Sequence, residues 1–349
     1  MTLDMTKLEP LLGTMVNELG AAANAALVLT GDKLGLFRAL AKDGPLTSAG
    51  LAAKTGTHER YIREWLAAQA ASGFVTYEAA VEGFSLSPEQ AAVFADEESL
   101  FNMTGGFYSL SAVFTDEPKL TEAFKTGKGV GWSEHSNCLF CGVDRFFRPG
   151  YKAHLLAEWL PALDGVVEKL TRGAKVADVG CGHGSSTLIM AKAFPNSQFV
   201  GIDFHGASIA HAREHVGDLD NVHFETARAQ DYPSSGYDLV TMFDALHDMG
   251  DPVGATAHIR KTLKRDGTLM LVEPRAGDSL ADNLNPVGRV FYAFSASVCV
   301  PSGLGQEVGE VLGGQAGDKR IGEVVHKGGF TRFRRAAETP FNAVLEARP

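Results

Sequence analysis

The residues of this chain whose types and spacing could do chemistry fall in two stretches. The first, AKVADVGCGHGSSTLIMAKAFPNSQFVGIDFH (174–205), sets Asp178 near the end of an apolar run, then Gly180, Gly182 and Gly184 at alternate positions, then a helical stretch and a second apolar run closing at Asp203. Alternating glycines let a backbone turn sharply and come close to a ligand. The second stretch, YDLVTMFDALHDMGDP, ends an apolar run with Phe243, Asp244, Ala245, Leu246, His247 and Asp248. An imidazole titrates near about 6.5, so His247 can take a proton from a hydroxyl or phenol near neutral pH.

Two ligands compete for a glycine turn of this kind. A dinucleotide turn reads G-x-G-x-x-G and sets the pyrophosphate on a helix N-terminus. Here Ser185 stands three residues after Gly182, and Asp178 is a poor neighbour for a pyrophosphate. An acid ahead of the turn suits a ligand that carries an ammonium and a sulfonium and no phosphate, namely S-adenosylmethionine. Asp203, at the end of the next strand, can accept from two ribose hydroxyls.

With D-x-G-x-G-x-G and Asp203 in place, residues from about 158 to 349 resemble the class I S-adenosylmethionine-dependent methyltransferases. The resemblance implies that Gly180 and Gly182 pass beneath the methionine part, with Gly184 completing the turn. It implies that Asp178 holds the amino group directly or through water, that Asp203 binds the ribose and that Phe204 lies beside the adenine. Adenine recognition is expected at Ala229 and Gln230, and Phe243 belongs to the same cofactor set. Leu246-His247-Asp248 followed by Asp251 is similar to the L-H-D-W-x-D motif of small-molecule O-methyltransferases, with Met249 in place of tryptophan. In that family the histidine is the general base, and a glutamate after the next strand orients it. LMLVEP supplies Glu273 for that role, and GGQAGDKR offers only Asp318 near the place of a second orienting acid. Methyl transfer itself is an in-line displacement at an activated carbon, so alignment is the main requirement. Transfer to nitrogen, sulfur or carbon stays open, with His247 then a positioning residue.

The elements that must position these residues are legible as an alternation of strands and helices after Gly173. Strands are predicted at 175–179, 198–202, 222–225, 237–243 and 267–273, with a terminal antiparallel pair in GGFTRFRRAAETPFNAVLEARP. The fold class is therefore α/β: a Rossmann-like class I methyltransferase domain with a reversed terminal strand, preceded by a mainly α winged-helix domain. The winged helix is read from a helix after Thr47, a second helix through Trp65 to Ala71, and a hairpin in 74–77 and 83–86. Helices before it are expected to break around Gly31-Asp32. We divide the chain into a winged-helix, dimerisation domain (1–95), a helical linker and lid whose helices glycines interrupt (96–160), and the methyltransferase domain (161–349). Tyr108, Phe146, Phe147 and Tyr151 of the lid, with Asn285, Arg289 and Tyr292 of the insertion after the fifth strand, are candidates to line an acceptor pocket.

Composition narrows the partners. The net charge of −10 counts against a polyanionic partner. In the presumed recognition helix, THERYIREWLAAQAA, Arg60 and Arg63 alternate with Glu59 and Glu64, so nucleic acid is not expected. No apolar run long enough to span a bilayer and no signal peptide are read, and four cysteines are too few for a disulfide scaffold. A cytoplasmic homodimer acting on a small-molecule acceptor is the expectation. No metal ligand set is assigned, although Cys138 and Cys141 form a C-x-x-C that could hold a soft metal or a metalloid acceptor. A winged-helix regulator that senses S-adenosylmethionine is the reading outside enzymes.

Overall fold

The structure, a computed structural model, describes residues 3–349, and its contacts divide the chain into two units. The first comprises residues up to Ala112 together with Cys141–Pro149. Its helices are α1 (Met5–Lys33), α2 (Leu36–Asp43), α3 (Ser48–Thr55) and α4 (Glu59–Ala71), followed by the small wing β1 (Thr76–Glu78) and β2 (Gly83–Ser85) and by α5 (Pro88–Phe94). Thr47 starts α3 by accepting from the Gly50 N–H, and Ser87 starts α5 in a reciprocal capping box with Gln90. Leu36, Phe37, Leu40, Leu51, Ile62, Trp65 and Leu66 bury the apolar faces of these helices in one core. The break expected at Gly31-Asp32 falls later, at Leu34-Gly35. Gly31 stays helical because it packs on Trp65, where a Cβ would lie 2.5 Å from the indole.

Two long helices, α6 (Thr104–Thr126) and α7 (Cys138–His154), contribute to both units. The expectation that glycines interrupt this region is overturned: α6 runs unbroken through Gly105 and Gly106. These glycines serve helix contact. A Cβ on Gly105 would lie 2.4 Å from the Phe146 backbone nitrogen, and one on Gly142 would lie 2.5 Å from that of Ser109. Behind them a buried ionic knot, absent from the sequence reading, ties three helices of the first unit. Asp32 accepts from Arg145 at 2.9 Å and from the Tyr108 hydroxyl at 2.8 Å.

The second unit holds a seven-stranded sheet: β3 (Lys175–Val179), β4 (Gln198–Asp203), β5 (Val222–Thr226), β6 (Tyr237–Phe243), β7 (Leu263–Pro274), β8 (Arg332–Glu338) and β9 (Asn342–Arg348). Their spatial order is β5-β4-β3-β6-β7-β9-β8. The first five are parallel, and β9 runs antiparallel to both β7 and β8. Helices α8 (Val166–Arg172), α9 (Ser185–Ala193), α10 (Gly206–Glu214), α11 (Pro252–Thr262), α12 (Pro286–Phe294), α13 (Val300–Leu304) and α14 (Gly317–Lys327) complete the unit. Chain order reverses direction between β3 and β6. The carboxyl ends of those two strands therefore open onto one crevice, the place where open α/β sheets bind ligands.

One expectation about length falls. Met5–Lys33 and Pro286–Leu304 are each long and apolar enough to cross a bilayer by length and composition. Small residues such as alanine and glycine are interspersed among their large apolar ones, so neither reads as an unbroken apolar run. Pro286–Leu304 is broken by a π-turn at Ser295–Cys299 and buries Phe291, Val298 and Cys299.

The glycine contacts generate a paired test within one helix. Gly142→Ala forces apart the α6 and α7 backbones and is expected to lower stability by about 1–3 kcal/mol. Gly150→Ala, in the same helix with nothing within 4 Å, is expected to raise stability by up to about 1 kcal/mol through helix propensity. Thermal melts of the two variants, compared with the parent chain, check the opposite signs.

Candidate active site

The glycine turn follows β3 and is built to be tight. Gly180, Gly182 and Gly184 all take positive φ. A Cβ on Gly180 would lie 2.7 Å from that of Ala245, so only glycine lets the turn after β3 pack on the segment after β6. Asp178 lies beneath this corner and is buried. Its carboxyl accepts from Ser186 (2.7 Å) and Thr187 (2.6 Å) of α9 and from Thr241 (3.0 Å) of β6. Burial raises its pKa against those hydroxyl bonds. Asp178 is therefore a tie between β3, α9 and β6, with both oxygens already engaged.

Asp203 ends β4 and reaches back to the turn. One oxygen accepts from the Gly182 N–H at 2.9 Å and the other from the His205 N–H at 2.8 Å. Burial raises its pKa also. Phe204 beside it is about half exposed. Ala229 packs against the sheet core, and Gln230 points at the Asp251 carbonyl at 3.5 Å. Phe243 is buried at the end of β6 against Tyr151 and Trp159, with ring centroids 5.1 and 6.5 Å away.

Beyond Phe243 the backbone turns at Asp244, whose φ of 48° is uncommon for a residue with a side chain. Tyr151 donates to one of its oxygens (3.0 Å) and Asn342 to the other (2.8 Å), which holds that conformation. Burial and the Glu273 charge push its pKa up to about 8. Asp244 was not singled out from sequence. Its signal, an acid where an apolar strand stops, was masked by the histidine three residues on.

His247 sits in a single 3₁₀ turn, Leu246–Asp248, and is buried. Its Nδ1 lies 2.5 Å from Glu273 Oε2, and the other Glu273 oxygen accepts from the Leu246 N–H at 3.0 Å. Glu273, on β7 and almost fully buried, thus fixes both the ring and the turn that carries it. His247 Nε2 lies 3.2 Å from Asp248 Oδ1. Burial works against the charged imidazole, but Asp248 and Glu273 together raise its pKa well above the usual value. The thiol of Cys299 also faces the pair, and burial and the Asp248 charge push it up to about 12. Cys299 comes from the π-turn of the insertion, an element no sequence pattern marked.

The insertion closes round this turn. Gln306 donates to the Asp248 carbonyl and accepts from the Gly250 N–H, each at 2.9 Å. Asp318, the one acid near the place of a second orienting residue, is elsewhere: it makes two 2.8 Å bonds to Arg335. Asp248 occupies the far side of the ring instead. Of the candidate pocket residues, Tyr151 reaches Asp244, whereas Asn285 caps α12 through the Gly288 N–H and Arg289 is exposed. Tyr292 is half-buried. Tyr108, Phe146 and Phe147 belong to the first unit, where Tyr108 serves Asp32 and the two phenylalanines meet edge to face. All four cysteines are free thiols.

Comparisons with known proteins bear on the fold and its domains. Residues 170–326 match the model of a methyltransferase domain, and residues 22–96 match that of an Rv2258c-like winged HTH domain. Trans-aconitate 2-methyltransferase of Acidovorax sp. strain JS42 is 32% identical over 100 residues, 28% of this chain and 38% of the relative's length. The fold extends over the whole chain. Human N-acetylserotonin methyltransferase in complex with S-adenosylmethionine superposes with a TM-score of 0.70 at 16% identity, covering 99% of this chain and 98% of the other. An O-methyltransferase family protein from Burkholderia thailandensis gives 0.69 at 17% identity, covering 100% and 99%. Residues 170–326 are therefore a methyltransferase domain, and a winged helix followed by a Rossmann-like sheet with a reversed last strand is the fold of the class I S-adenosylmethionine-dependent methyltransferases.

Proposed function

We propose that the protein transfers the methyl group of S-adenosylmethionine to an oxygen of a small molecule, with His247 as general base. The observation that carries this reading is the Glu273–His247 contact of 2.5 Å at the end of β6, beside the glycine turn. A carboxylate on Nδ1 fixes the tautomer and leaves Nε2 to take the acceptor's proton. In this reading Asp203 exchanges its bonds to the turn for the ribose hydroxyls, with Phe204, Phe243, Ala229 and Gln230 around the adenine. Gly180, Gly182 and Gly184 pass under the methionine part, and Asp178 supports that end by holding the strand–turn–helix corner. Tyr151 and Tyr292 line the acceptor side. Transfer of labelled methyl from S-adenosylmethionine to a panel of phenols, hydroxy acids and carboxylates tests the activity, and no labelled product from any small molecule would overturn it.

Nucleic acid does not fit as partner, because Arg60 and Arg63 of α4 are held by Glu64 and Glu59 of the same helix. The four free thiols suit a reducing, cytoplasmic setting. We also propose a homodimer through α1, which leaves Leu12, Met15, Val16 and Leu19 exposed along one side. Surface apolar stripes of this length mark association sites. Replacing Leu12 and Val16 together by glutamate should halve the mass seen by sedimentation, and an unchanged mass would remove the dimer from the proposal.

His247→Ala should lower kcat by about 10²–10⁴-fold while leaving cofactor affinity unchanged. A loss of only a few fold would leave alignment as the mechanism and His247 as a positioning residue.

The pH profile carries a sign. The base must be neutral, and Asp248 and Glu273 raise the imidazole pKa above its usual value, so kcat should climb through a pH above about 6.5. Glu273→Gln removes one facing charge while Asp248, Asp244 and Cys299 remain. The acidic limb should then move to lower pH while the plateau falls. A limb that stays in place would separate Glu273 from the titration.

A further inference from the structure

His247, Asp248 and Cys299 present three different ligand atoms to one point. The imidazole nitrogen, carboxylate oxygen and thiol sulfur all lie within 4.8 Å of one another. Among the described residues this is the one group of three His, Cys, Asp or Glu side chains so gathered. A tetrahedral ion with bonds of about 2.0–2.3 Å needs ligand atoms roughly 3.3–3.8 Å apart. His247 Nε2 and Asp248 Oδ1 already stand at 3.2 Å. A second observation points the same way: Asp248 Oδ1 is enclosed, and what faces it is the His247 Nε2 and the Cys299 thiol, the other two ligand atoms of the group, with no donor from elsewhere in the fold. Glu273 on Nδ1 supplies the third, since carboxylate–histidine pairs of this kind orient metal ligands and strengthen them as donors. The Asp248 side chain retains 18% exposure, so the point is not sealed.

We infer that His247 Nε2, Asp248 and Cys299 form a site for a single borderline divalent cation, zinc above all, with its fourth position open. One nitrogen, one oxygen and one sulfur exclude magnesium and calcium, which take oxygen ligands, and match zinc. Binding displaces the Cys299 thiol proton and the proton that an imidazolium carries on Nε2, both to solvent, and forms a zinc–sulfur and a zinc–nitrogen bond, so the site fills better as pH rises. Zinc on Nε2 removes the lone pair that would accept a proton, and the bound enzyme is blocked. That last consequence rests on the base role proposed above; the site itself does not.

The test uses the full chain freed of metal by chelation, with cobalt as the spectroscopic probe and zinc as its competitor. One cobalt per chain should bind with a near-ultraviolet sulfur-to-cobalt charge-transfer band, and one equivalent of zinc should erase it. Cys299→Ser should lose the band, and the double variant Cys138→Ser/Cys141→Ser should keep it. Glu273→Gln should weaken zinc about 10–100-fold. X-ray absorption at the zinc edge of the unaltered chain reads the ligands without any variant: one sulfur is expected. Two sulfurs, a band that survives Cys299→Ser, or no bound cobalt each overturns the site. These readouts contain no methyl acceptor. If zinc binds with one sulfur but leaves methyl transfer unaffected, the base role fails and the site stands.

Discussion

The rest of the active centre depends on one close contact: the bare backbone of Gly180 against the Ala245 methyl, with no room for a second Cβ. It brings the turn after β3 and the turn after β6 together at the point where the sheet changes direction. A cofactor laid on the first turn and a base carried on the second can then act on one acceptor. Asp178 holds the same corner from below, with hydroxyls of Ser186, Thr187 and Thr241 on its two oxygens. Glu273 holds it from the side, one oxygen on the His247 ring and one on the Leu246 backbone. Two buried carboxyl groups therefore serve a single geometric purpose, and burial raises the pKa of Asp178.

Much of this was legible because the signals were local. Tyr237–Phe243 is a run of buried apolar residues, and the strand has those bounds. Strands β3 to β5 were read to within a residue at each end for the same reason, and the terminal hairpin followed from Thr339-Pro340 between two β-prone runs. What escaped was contact between distant segments. Glycine in α6 looks like a helix breaker until Phe146 is seen against Gly105. Tyr108 looks like a pocket aromatic until Asp32, seventy-six residues away, takes its hydroxyl. Asp318 is a plausible partner for His247 by position and belongs to Arg335 in space. In each case the tertiary partner lies far along the chain, where a local reading does not reach.

The same distinction explains why Cys299 carried no signal. Its sequence context, FSASVCVPSG, reads as an apolar helix. A π-turn at Ser295–Cys299 interrupts the helical period, and the Cys299 thiol at its end lies within 4.8 Å of the His247 and Asp248 ligand atoms. Such turns are uncommon and concentrate at functional sites, and no period of apolar residues announces them.

A base of this design carries a constraint of its own. To take a proton near neutral pH, His247 needs an accepting partner on Nδ1 and a lone pair on Nε2 that no donor occupies. Those are also the features of a good metal ligand, so in the proposed reading a site that adds a carboxylate oxygen and a thiol beside that lone pair would set proton and cation in competition for it. Transfer by alignment alone would not need Glu273 buried behind the ring, and a cation site alone would not need the glycine turn beside it. The two demands meet on one nitrogen. Whatever raises its affinity for a proton, Asp248 and Glu273 foremost, raises its affinity for a cation by the same electrostatics.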